Sequence, residues 1–124
     1  MSRATASLRL RVACAVVLLS VAAQASAATG NVTAYVNRVL IGGDATYGGC
    51  MALLSVSPQS VLGSCGPSWV SFSCSGAFTD PVRGYRMLDQ AQLALATGKR
   101  VQAFFQDDKK HNGYCFASRI DVQR

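Results

Sequence analysis

Glutamate is missing from this chain. Its six acidic side chains are all aspartates: Asp44, Asp80, Asp89, Asp107, Asp108 and Asp121. Histidine occurs once, as His111, and tryptophan once, as Trp69. These scarcities leave little catalytic chemistry. A Ser–His–Asp set would have to bring His111 to a distant serine. A zinc site wants paired C-x-x-C spacing or several histidines, and neither is present. No glycine motif of the phosphate-cradling kind occurs, and there is no internal repeat or low-complexity tract. Accordingly no metal, no cofactor and no enzymatic activity is expected.

A long apolar run is lacking too. The run at residues 12–23 is about a dozen residues, well short of the ~20 that cross a bilayer. Arg3, Arg9 and Arg11 precede it, and Ala25-Ser26-Ala27 follows it in the A-x-A pattern. Basic, apolar and small segments in that order read as a secretory signal peptide over residues 1–27. Arg11 stands where a lipoprotein signal needs an apolar residue before Cys14. Residues 28–124 are then the mature chain, a single domain without a membrane span, periplasmic or secreted. Its nine Lys and Arg against six Asp leave +3, half of the +6 of the whole chain. That excess is too small to argue for nucleic acid as a partner.

Of the five cysteines, Cys14 leaves with the signal. Cys50, Cys65, Cys74 and Cys115 remain, an even number in a small exported domain, which reads as two disulfides. Three pairings are open at this stage. Each bridge typically contributes about 2–4 kcal/mol, a large share for a domain of this size.

The mature chain reads as strands, a helix, then strands. Residues 32–41 are β-branched and stop at Gly42-Gly43-Asp44. Residues 50–56 form a second apolar run, and 57–67 a loop of Pro, Gly and Ser. Residues 69–74 alternate large apolar and small polar side chains with the period of a half-buried strand. Asp80 as N-cap, Pro81 at the first helical position and Gly98 at the end bound a helix. Gly84, Met87, Leu88, Ala91, Ala94 and Leu95 make its inward face. Leu93 falls among the polar residues, either as a lone exposed leucine or as a contact to another subunit. Residues 101–106 and 114–122 are the last two strands. The segment from Asp107 to Gly113, ending in Asn112-Gly113, is the turn between them. The order β-β-β-α-β-β is that of a five-stranded OB-like barrel, here stapled by disulfides; a small α+β sheet with one covering helix has the same order.

Recognition is better supplied than catalysis. Trp69, Tyr35, Tyr47, Tyr85 and Tyr114 offer amphipathic rings. Such faces beside Ser, Asp and Asn suit sugars, whose C–H groups pack on rings while their hydroxyls find polar partners. Most of these rings are expected in the core. The candidate ligand-binding residues are Trp69 and, from the turn and its exit, Asp107, Lys109, His111, Asn112 and Tyr114. His111 in an exposed turn reads as solvated. Asp107-Asp108 beside Lys109-Lys110 reads as a solubilising turn, because neighbours on a strand face opposite ways.

The stretch from Leu88 to Phe105, with Gln90-Ala91, Thr97-Gly98, Val101 and Phe104-Phe105, resembles the helix-to-strand segment of the subtilase cytotoxin B-subunit family. Cys50 and Cys65, with 14 residues between them, resemble that family's cysteine loop, and Ser71-Phe72-Ser73 its pre-helix strand. The similarity covers about half of the mature chain, and Ser75–Met87 looks inserted. The resemblance implies an OB-fold B subunit, a ring of five copies and glycan or cell-surface glycoprotein binding. It also implies the pairing Cys50–Cys65, which leaves Cys74–Cys115. The expectation is an exported, non-catalytic, glycan-binding module that forms a homo-oligomer. Its rival is a periplasmic or envelope structural protein that binds protein partners and no sugar. A small hydrolase built on His111 is a third reading.

Overall fold

The computed structural model describes residues 26–124. Residues 1–25, with most of the expected signal segment and Cys14, lie outside the described residues. Five strands and one long helix follow in the order β1 (Thr29–Ile41), β2 (Cys50–Leu54), β3 (Trp69–Ser71), α1 (Pro81–Thr97), β4 (Arg100–His111) and β5 (Tyr114–Val122). A single 3-10 turn, Pro58–Ser60, lies in the β2–β3 loop.

The strands form one mixed sheet that closes into a ring in the order β1-β2-β3-β5-β4. The long β1 serves two neighbours: its first half pairs with β4, from Thr29 opposite Gln106 to Tyr35 opposite Arg100. Its second half pairs with β2. The register slips between Val36 and Arg38, a β-bulge that bends the strand and reverses which residues face inward. Before the bulge Val32, Ala34 and Val36 are buried in the core; after it Val39 packs against the core and Leu40 turns outward. Closure rests on a thin seam, one parallel pairing of Ser71 with Phe116 between β3 and β5.

Helix α1 has the expected bounds because both ends are written in local chemistry. The Asp80 carboxylate accepts the Arg83 N–H at 3.0 Å, and Gly98 ends the helix in the left-handed conformation at φ 64°. Gly84, Met87, Leu88, Ala91 and Ala94 are buried. Leu95, expected inward, is exposed at the margin of that face. Gly84 has a packing role: a Cβ there would stand 2.9 Å from the Phe72 carbonyl oxygen and 3.0 Å from Cys74 Cα. Only glycine lets the first turn of the helix rest on that backbone.

The core holds Phe72, Phe105, Phe116, Leu88, Val70 and Val101. The tyrosines, expected mostly inside, are all outside it: Tyr35, Tyr47 and Tyr85 are exposed and Tyr114 is half-buried. Phenylalanine fills the interior without a hydroxyl to satisfy.

The disulfides are Cys50–Cys74 and Cys65–Cys115, so the expected Cys50–Cys65 and Cys74–Cys115 pairing is corrected. Strand register supplies the reason. Antiparallel pairing sets Trp69 opposite Leu53 and Ser71 opposite Met51. Cys65, before Trp69, therefore lies beyond the far end of β2, whereas Cys74, after Ser71, returns to the Cys50 end. The Cα atoms of Cys50 and Cys74 are 5.6 Å apart, well within bridging distance. The two bridges agree with a chain folded in an oxidising compartment; among the described residues no helix is long and apolar enough to cross a membrane.

Candidate functional site

On β2 the side chains of Cys50, Ala52 and Leu54 enter the core. Met51 points the other way and is nonetheless covered. It lies at the base of a cavity of about 190 Å³ on the outer face of the sheet, lined by Leu40, Tyr47, Met51, Trp69 and Tyr114. Leu40 stands opposite Met51 across the β1–β2 pair, brought to this face by the bulge. Trp69 comes from the first position of β3. Tyr47 hangs from the β1–β2 loop and Tyr114 begins β5 at the hairpin, with ring centroids 6.0 Å apart and tilted at 55°. Three rings and two aliphatic side chains thus form a concave, uncharged surface between two loops.

Both loops are held from behind. The Ser71 hydroxyl donates to the Tyr47 carbonyl at 3.0 Å. Gly66 donates its N–H to the Gly113 carbonyl at 2.8 Å, and a Cβ on Gly66 would meet the Tyr114 ring at 2.7 Å. The β2–β3 loop therefore presses flat against the hairpin, and Cys65–Cys115 locks it there one residue from each contact. Trp69 and Tyr114 are each within four residues of that bridge.

His111 is not in an exposed turn. It is the last residue of β4, 8% exposed, because the turn is only Asn112-Gly113, with positive φ at both residues (49° and 85°). Its ring packs on Phe78 with centroids 4.4 Å apart and sits 3.0 Å, Nε2 to Oγ, from Ser73. Burial holds its pKa below the ordinary imidazole value. The Ser73 hydroxyl also accepts the Phe78 N–H and is fully buried. Among the described residues no carboxylate bonds the imidazole. The pair joins β4, the end of β3 and the loop before α1.

Asp107 is likewise a tie within the fold. It is in β4, and its carboxylate accepts the Ala28 N–H at 2.9 Å and the Ser64 hydroxyl at 3.1 Å. Its backbone N–H donates to the Ala28 carbonyl. Asp108 accepts from the Gln106 amide at 2.9 Å. The expected solubilising turn is thus strand, irregular because the β4–β5 register slips between Gln106 and Lys110. Lys109 lies in that irregular stretch and Asn112 at the exposed hairpin tip. Of the six residues expected to bind ligand, the structure brings Trp69 and Tyr114 into one cavity. Asp107, Lys109, His111 and Asn112 do not line it. Leu40, Tyr47 and Met51 complete it and were not expected. Strand alternation could have placed Met51, since it separates two inward residues; Leu40 needs the bulge.

A shallower cleft of about 270 Å³, lined by Leu93, Thr97, Lys99, Val122, Gln123 and Arg124, opens at the C-terminal end of α1. Among the described residues, no three His, Cys, Asp or Glu side chains gather as a metal site would require. Compared with known protein families, curated proteins and solved structures, the chain matches none.

Proposed function

We propose that this protein is an exported, non-catalytic glycan-binding module built as an OB-like barrel. The observation that carries the reading is the uncharged aromatic cavity of Tyr47, Trp69 and Tyr114 over Leu40 and Met51. It lies on the face of strands two and three, between the β1–β2 loop and the β4–β5 hairpin. OB barrels bind oligosaccharides and oligonucleotides there. Nucleic acid is the weaker choice, because no cation lines the cavity. Sugar fits better: rings cover the C–H face of a pyranose, and the tyrosine hydroxyls and indole N–H meet its hydroxyls.

A second reading has its own support. Val82, Tyr85 and Leu93 are exposed on the outer side of α1, Leu93 at 50%. At 100° per residue they share the side opposite the buried face with the exposed Arg86 and Asp89, a stripe of mixed apolar and charged side chains. Such a stripe suits a protein partner or a second copy of the chain, as in the ring implied by the B-subunit resemblance.

A glycan array with free-sugar competition tests the primary reading. Binding is expected to neutral glycans, reduced at least tenfold by Trp69→Ala with the fold intact by circular dichroism. Silence across neutral and acidic glycans alike would leave the protein-partner reading standing instead.

A further inference from the structure

Resting on the glycan reading, we infer that the cavity takes one uncharged sugar ring carrying a methyl group, with the methyl seated between Leu40 and Met51. Size limits the occupant: about 190 Å³ is below the roughly 300–1,000 Å³ of pockets for larger ligands. Charge limits it further. None of the five lining residues carries a formal charge, so a carboxylate inside would lose its hydration with no ion partner in return. Arg38 shares the outer face opposite Leu53, and Leu53 in turn faces Trp69. The Arg38 side chain is exposed and outside the lining, so it can address an acidic group only on a neighbouring sugar.

The lining has two chemical halves. Tyr47, Trp69 and Tyr114 each pair an apolar ring with a polar tip. Leu40 has no hydrogen-bonding group, and the Met51 thioether is at most a weak acceptor. An unsubstituted hexose carries hydroxyls around its rim, and one placed over Leu40 and Met51 loses water without compensation. The methyl of an N-acetyl group or of a 6-deoxy sugar has no such penalty and gains burial. Met51 is 2% exposed in the free protein, and its flexible side chain shifts to admit the methyl. A single methyl in an apolar pocket discriminates by about tenfold or more.

Trp69 is the only tryptophan, so its emission reports this cavity directly. Purified protein is titrated with N-acetylglucosamine, N-acetylgalactosamine, L-fucose, glucose, galactose and N-acetylneuraminic acid. N-acetylglucosamine, N-acetylgalactosamine and L-fucose, which all carry the methyl, are expected to bind at least tenfold tighter than glucose and galactose. N-acetylneuraminic acid, which has the methyl and a carboxylate, is expected to bind more weakly than N-acetylglucosamine or L-fucose. Met51→Gln should erase the preference for methylated over plain sugars, and Leu40→Thr gives the same readout if Met51→Gln fails to fold. Arg38→Ala should leave every uncharged sugar unaffected. Equal affinity for methylated and plain sugars, or tighter binding of the acidic one, overturns this inference and leaves the glycan reading standing. No response to any sugar, with a silent array, overturns both.

Discussion

Single residues in this protein are constrained by how closely backbones approach. Gly84 costs helix propensity, and Ala would restore about 1 kcal/mol of it in an isolated helix. Here the added methyl has to displace the Phe72 carbonyl and the Cys74 backbone. Gly84→Ala is therefore expected to destabilise by about 1–2 kcal/mol net, seen as a fall in Tm of roughly 5–15 °C. His111 makes a second residue-scale test. Its folded pKa lies below the unfolded value of about 6.5, so the unfolded chain takes up the proton first as pH falls. The contribution of the neutral, buried imidazole to stability is full above pH ~6.5 and is lost as pH drops through the lowered folded value. Urea midpoints at about pH 7.5 and pH 5.5, a window above most carboxylate titration, should fall in the wild type. The fall should be smaller in His111→Gln.

Elements differ in how plainly their sequence announces them. Helix α1 was legible to the residue because Asp80, Pro81 and Gly98 act locally, within one turn. Strand β5 was legible for the same kind of reason, since Asn112-Gly113 fixes its start. The sequence pattern ends strand β4 at Gln106, whereas it runs to His111. Its polar second half, from Asp107 to Lys110, looks like a turn, and only tertiary partners such as Ala28 and Ser64 make it strand. The bulge between Val36 and Arg38 has no marker in composition, so Leu40 could not be assigned to the outer face. The cystine pairing was within reach: an antiparallel pair around the loop at 57–67 returns Cys74, not Cys65, to Cys50.

That loop also gives the disulfides unequal roles. Both flank the one-pair seam between β3 and β5, so removing either should cost about 2–5 kcal/mol. Cys65→Ser with Cys115→Ser should in addition lower sugar affinity, by freeing the loop that positions Tyr114 and Trp69. Cys50→Ala with Cys74→Ala, measured where it remains folded, should keep that affinity. Equal binding by the two double variants in isothermal titration would argue against a positioning role for Cys65–Cys115.

At the scale of the whole molecule, the ring of strands offers two unlike surfaces. One is the concave aromatic cavity on the β1–β2–β3 face. The other is the outer side of α1, where the exposed Val82, Tyr85 and Leu93 stand among Arg86 and Asp89. The proposed function assigns ligand to the first and assembly to the second. Light scattering of the mature protein is expected to give a multiple of the single-chain mass, and Val82→Asp with Leu93→Asp a monomer that still binds sugar. The most direct test of the cavity is an amide and methyl NMR titration of residues 28–124 with N-acetylglucosamine. The expected shifts cluster at Leu40, Tyr47, Met51, Trp69 and Tyr114. Shifts confined to Val82, Tyr85 and Leu93, or a spectrum that does not move, would contradict it.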